Sequence, residues 1–145
     1  MTDTPHKILV AFDDSPISHK AFDFAIDLAK NYPDGPHTVT VLSVIHVSDM
    51  IDVPVDIEPI VASARDEMEA AQQPLKEKVK DLNLNVTTEC VMGHPSETIV
   101  DYAEKNGYDM IVLGNRGRSK ITEWLLGSVS HQVATHTRCT VTIVK

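Results

Sequence analysis

The chain has 145 residues, 42% hydrophobic and 23% charged, with a formal net charge of −8. That length suits one domain, residues 1–145, with a proper core. The negative balance argues against a general nucleic-acid or anionic-membrane surface, which would need a basic face, but leaves room for a local anion site.

Lys7–Phe12 is a compact apolar run and predicts a buried first strand. Asp13-Asp14-Ser15-Pro16 stops it. Ser15 suits an N-cap and Pro16 the first turn of a helix. Ile17, Ala21, Phe24, Ala25 and Leu28 recur at helical spacing, so a helix is expected from 16 to about 30. Residues 31–36 form a Pro/Gly loop. Val39–Val47 is rich in β-branched residues and predicts the second strand. The segment that follows carries Asp49, Asp52, Asp56 and Glu58 with two prolines, and reads as a flexible lip or an interaction segment. A helix is expected over 61–82, kinked or broken at Pro74, because proline costs ~3 kcal/mol in a helix interior. Val86–Val91 predicts the third strand. Ser96 is the expected cap of a helix from Glu97 to about Lys105, ending near Gly107. Asp109–Leu113 predicts the fourth strand, Trp124–Thr135 the last helix and Thr140–Val144 the last strand. The order βαβαβαβαβ implies parallel strands with helices on both faces. In such sheets a ligand sits beyond the C-terminal strand ends, where strand order reverses.

Other classes find little support. No stretch approaches the ~20 apolar residues needed to span a bilayer. The opening MTDTPHK is polar and does not read as a secretory signal. Cys90 and Cys139 lie in apolar runs without CxxC spacing, as buried, reduced thiols would, so a cytoplasmic protein is expected. The seven histidines make no HExxH or HxxxH pair, and no histidine metal site is expected. Trp124 reads as packing rather than as a base-stacking ring.

The most informative stretch is Gly114–Ser130, GNRGRSKITEWLLGSVS. Glycine lets a backbone approach a ligand, and free N–H groups at a helix start attract anions. Gly114 and Gly117 would curl the backbone into an N–H-donating concavity. Gly127, Ser128, Val129 and Ser130 would add further N–H groups and two hydroxyls. Arg116, Arg118 and Lys120 supply positive charge, with Arg116 the first candidate for phosphate. In the competing reading, Gly114 and Gly117 only shape a loop and Gly127 only permits tight helix packing.

The spacing G-x2-G-x9-G-[S/T], together with KILVAFDDS, GHPSETIV and CTVTIVK, resembles the universal stress protein family in its ATP-binding subgroup. The resemblance covers nearly the whole chain. It implies a three-layer α/β fold with five parallel strands in the order 3-2-1-4-5 and helices on both faces (adenine nucleotide alpha hydrolase-like). That order places the reversal at Ala11-Phe12-Asp13 and Leu113-Gly114. The resemblance further implies that Asp13 accepts hydrogen bonds from ribose hydroxyls and that Ala11 and Val47 line the adenine. It also implies a homodimer paired through Thr140–Val144.

ATP is the expected ligand, with Mg2+ or Mn2+ bridging its phosphates. The chain has no Walker A motif and no GxGxxG. Neither a positioned base nor an arginine-finger arrangement is visible, so at most slow ATP hydrolysis is expected. A phospho-acceptor receiver domain would need an aspartate at the end of the third strand, where Val91-Met92-Gly93 stands. An adenylate-transferring enzyme would need SGGxDS after the first strand, where the chain reads AFDDS. The other live alternative is a module of the same family that binds proteins and no nucleotide. No client protein is legible.

Overall fold

The computed structural model describes residues 7–32, 38–46, 56–116 and 126–145. Val47, Asp49, Asp52, Gly117, Arg118, Lys120 and Trp124, all singled out above, lie outside the described residues. In chain order the elements are β1 (Lys7–Ala11), α1 (Pro16–Asn31), β2 (Thr38–Ile45), α2 (Glu58–Lys78) and β3 (Asn85–Met92). They continue with α3 (Pro95–Lys105), β4 (Met110–Gly114), α4 (Ser128–His136) and β5 (Thr140–Val144). The five strands form one parallel sheet in the order β3-β2-β1-β4-β5, as expected.

The period-2 alternation of strands divides the core into two layers. Ile8 and Val10 of β1 face Phe22 and Ala25 of α1, along with Leu75 of α2. Leu9, between them, faces the other way, into a cluster with Ile99 of α3 and Val133 of α4. β1 is therefore covered on both sides and reads as a continuous apolar run. Burial of each such large side chain contributes roughly 1.5–3 kcal/mol. Among the described residues no helix is long and apolar enough to cross a membrane.

Several element boundaries differ from expectation. α2 begins at Glu58 and runs unbroken through Pro74. Pro74 and Ala70, whose carbonyl loses its donor, are both exposed. Exposure leaves that carbonyl open to solvent, which makes the proline tolerable there. α3 starts two residues earlier than expected, with His94 at the N-cap and Pro95 in the first turn. Proline's fixed φ favours that position. Ser96 is thus inside the helix, and its hydroxyl donates to Gln132 Oε1 of α4 at 2.5 Å. α4 begins at Ser128, with Gly127 extended at φ −60° and ψ 156°; the expected start, Trp124, lies outside the described residues. Cys90 is buried, but Cys139 is only half-buried, its thiol donating to Tyr108 O at 3.2 Å.

Candidate functional site

Strand order reverses between β1 and β4, and their C-terminal ends open into a cleft of about 650 Å3. This is the size and place of a small-molecule site in an open α/β sheet. Ala11, Phe12 and Asp13 line it from β1, and Leu113, Gly114 and Arg116 from β4. Gly127, Ser128, Val129 and Ser130 line it from the start of α4. These ten were all expected from the sequence; the remaining two, Val47 and Gly117, lie outside the described residues. A second groove, about 410 Å3, runs along α2 beside Pro59, Ile60 and Glu67. It is lined by one helix and brings no two elements together.

Three helix starts reach this cleft, that of α3 through Pro95 and those of α1 and α4. At α1 the chain leaves β1 with Phe12 N donating to Leu42 O at 2.9 Å. Asp14 then takes φ 66°, a left-handed conformation that aspartate tolerates better than most residues. Asp13 Oδ1 accepts from Ser15 N at 3.0 Å and from Ser15 Oγ at 2.5 Å. Ser15 Oγ in turn accepts from Ser18 N at 3.3 Å, the expected N-cap. Ser18 Oγ donates to Ser15 O at 2.8 Å. Asp14 Oδ1 lies 2.9 Å from His19 Nε2 on the exposed side. Asp13 therefore helps close its own helix start with one carboxylate oxygen. Its other oxygen, Oδ2, has no partner among the described residues.

The start of α4 is built differently. Gly127 N donates to Asn115 O at 2.7 Å, and Asn115 N donates to Val144 O at 2.8 Å. These bonds tie the helix start to the loop after β4 and to the end of β5. Gly127 has no side chain to cap with, and no side-chain cap bond is made. His131 N is the first amide of the helix to find a helical acceptor, Gly127 O at 3.0 Å. The amides of Ser128, Val129 and Ser130 have no acceptor among the described residues. Such donors, at the positive end of a helix dipole, suit an anion. The Ser130 hydroxyl, expected on the ligand, donates instead to Asn115 O at 2.9 Å and Gly127 O at 3.0 Å. Of the two hydroxyls only that of Ser128 is exposed.

The glycines act through space rather than through special φ angles. Among the described glycines only Gly93 and Gly107 have positive φ. At Gly114 an added Cβ would lie 2.7 Å from Ile17 Cγ2 of α1. At Gly127 it would meet Arg116 Cα and Asn115 O at 3.3 Å. The missing side chains let α1 and the start of α4 close upon the cleft walls.

The floor of the cleft comes from residues outside the glycine motif. Leu42 and Val44 of β2 and Ile99 of α3 are apolar, with His46 at the rim. Alternation along β2 puts residues 42 and 44 on one face, which is legible from the strand pattern. Ile99 comes from an element far away in sequence and carries no such signal. Among the described residues no group of three or more His, Cys, Asp or Glu is placed to hold a metal ion.

Comparison with known proteins gives a consistent result. The family model for the universal stress protein family matches residues 5–145. Universal stress protein YxiE of Bacillus subtilis is 32% identical, with 97% of this chain and 99% of that protein covered. The solved structure of hypothetical protein MJ0577 of Methanocaldococcus jannaschii superposes with a TM-score of 0.88 at 27% identity, covering 98% of this chain and 96% of that one. A universal stress protein family protein of Arabidopsis thaliana, solved with AMP bound, has a TM-score of 0.71 at 20% identity, covering 97% and 92%. The chain belongs to the universal stress protein family.

Proposed function

Starting from that membership, we propose that this chain is an ATP-binding universal stress protein, a nucleotide-dependent regulator that acts as a cytoplasmic homodimer. One observation carries the reading: three amides at the start of α4, without an acceptor among the described residues, open on the cleft at the strand-order reversal. Phosphates take those amides and the Ser128 hydroxyl, with Arg116 beside them. The apolar floor of Leu42, Val44 and Ile99 takes the adenine. Asp13, through Oδ2, takes the ribose hydroxyls. The AMP bound in the Arabidopsis relative supports an adenine nucleotide as the ligand class. Mg2+ or Mn2+ would arrive with ATP, held by phosphate oxygens, which suits a cleft without a carboxylate cluster among its described residues. Binding rather than turnover is the role, with at most slow hydrolysis. The dimer would form through β5, a partly exposed edge strand of β-branched residues that invites pairing.

Calorimetric titration of nucleotide-stripped protein with ATP and magnesium tests the ligand. Binding near one per chain is expected. Folded protein that takes no adenine nucleotide would overturn the reading and leave the protein-interaction module. Light scattering tests the dimer; monomer alone at micromolar concentration would refute it.

A further inference from the structure

α2 meets the sheet through very few buried groups. Along its 21 residues only Gln72 and Leu75 are fully buried. Leu75 joins the apolar core. Gln72, 1% exposed, is a primary amide at the same depth. Buried amides persist only when their hydrogen bonds are made.

Gln72 makes them in a directed way. Its Nε2 donates to Ser43 Oγ at 2.9 Å and to Glu89 O at 3.0 Å. A carbonyl only accepts, so the NH2 end must face β3, and both amide protons are used. Ser43, 0% exposed, has a single proton to give. With Gln72 donating to its oxygen, that proton points to Phe12 O at 2.7 Å. Phe12 O belongs to the peptide group that leads into Asp13. A chain of three hydrogen bonds thus links α2, β3 and β2 to the corner after β1.

We propose that Gln72 is a positioning residue for the cleft. It orients the Ser43 hydroxyl, which pins the Phe12–Asp13 peptide, from which the Asp13 carboxylate is presented. The pose of α2 and the geometry of the cleft are thereby coupled, although α2 contributes no residue to the cleft lining. The consequence for ATP rests on the nucleotide reading above; the pinning of the corner does not.

The test is a double-mutant cycle of Gln72→Met, Ser43→Ala and the pair, with two readouts. In apo protein, hydrogen exchange at the Phe12 and Ser15 amides is expected to accelerate in all three variants. In ATP titrations each single variant is expected to weaken binding about fivefold, the order of one buried hydrogen bond, with the pair no weaker than either alone. Ser43→Ala, the smaller change, carries both readouts if Gln72→Met does not fold. Unchanged exchange and unchanged affinity, with only a lowered melting temperature, would reduce Gln72 to a packing role and overturn the proposal. So would strictly additive losses. If unmutated protein takes no nucleotide, the functional reading fails, and the exchange arm alone still decides whether Gln72 pins the corner.

Discussion

The starts of α1 and α4, on either side of the cleft, solve the same problem in opposite ways. Each helix begins with amides that have no acceptor inside the helix. At α1 the chain supplies acceptors itself, through Ser15 Oγ, with Asp13 Oδ1 holding Ser15 in place. At α4 it supplies none to Ser128, Val129 and Ser130 among the described residues, because the capping position is Gly127. A self-capped helix start gains stability and loses its capacity for an anion. An uncapped one gives up roughly 1 kcal/mol of helix stability and keeps that capacity. The contrast assigns the phosphates to one wall of the cleft and the closing contacts to the other.

The strongest way to break this contrast is to convert the open start into a closed one. Gly127→Asp places a favoured capping carboxylate where the phosphate would sit, adding charge repulsion to direct competition. ATP affinity is expected to fall by roughly a hundredfold or more, on the scale of charge-assisted bonds lost at a binding site. The fold, followed by circular dichroism, should survive, since the new Cβ meets its neighbours at 3.3 Å and needs only a small shift. Affinity unchanged by this substitution would break the assignment.

A finer cut removes a single donor. Ser128→Pro deletes the first helical amide and its hydroxyl at a position that proline favours. Gly127 is already extended at φ −60° and ψ 156°, as the residue before a proline should be. Melting temperature should hold. Titration should show ATP binding weakened by roughly tenfold or more, since one hydrogen bond to a charged group contributes about 1.5–3 kcal/mol. A Ser128→Ala variant with near-normal affinity would then assign the loss to the amide rather than the hydroxyl.

On the closed side the test is of stability. The glycine at 114 borders the cleft but owes its place to Ile17, whose Cγ2 would lie 2.7 Å from an added Cβ. Gly114→Ala should cost about 1–3 kcal/mol in denaturant unfolding, the usual range for overpacking. Adding Ile17→Ala should recover part of the loss. Without any such recovery, the space occupied by Ile17 would not be what requires glycine here.

This contact also marks where sequence legibility ends. The strand order and the ten cleft residues were readable, because periodicity gave the elements, and the glycine spacing gave the family resemblance that fixes their order. The reason for Gly114 was not, since its partner Ile17 is 97 positions away and no local pattern links them. The last helix is expected from Trp124, yet α4 begins at Ser128, and no local signal in the sequence marks that start. Pro74 reads as a helix breaker, and only its exposure tells otherwise. Gln72 is indistinguishable in sequence from any solvated glutamine; its burial against Ser43 is a tertiary fact. The place of Ser130 after Gly127 predicts a ligand donor, yet the loop after β4 takes its hydroxyl. In each case the local rule was sound, and a residue distant in sequence or the depth of burial decided the outcome.

The mildest change separates stability from binding on the same wall. Ser15→Ala removes the α1 cap and leaves Ser18 N without its side-chain acceptor, which should cost about 1 kcal/mol in unfolding. The backbone amide of residue 15 remains, so Asp13 Oδ1 keeps one of its two donors. Asp13 Oδ2, the oxygen assigned to the ribose, is not touched by the substitution. ATP affinity should therefore stay within about threefold of its original value, less than the energy of one ordinary hydrogen bond. The unfolding curve and the titration are to be run on the same preparation. A loss of binding larger than the loss of stability would mean that the α1 start, too, is part of the anion site. The two walls would then differ in degree and not in kind.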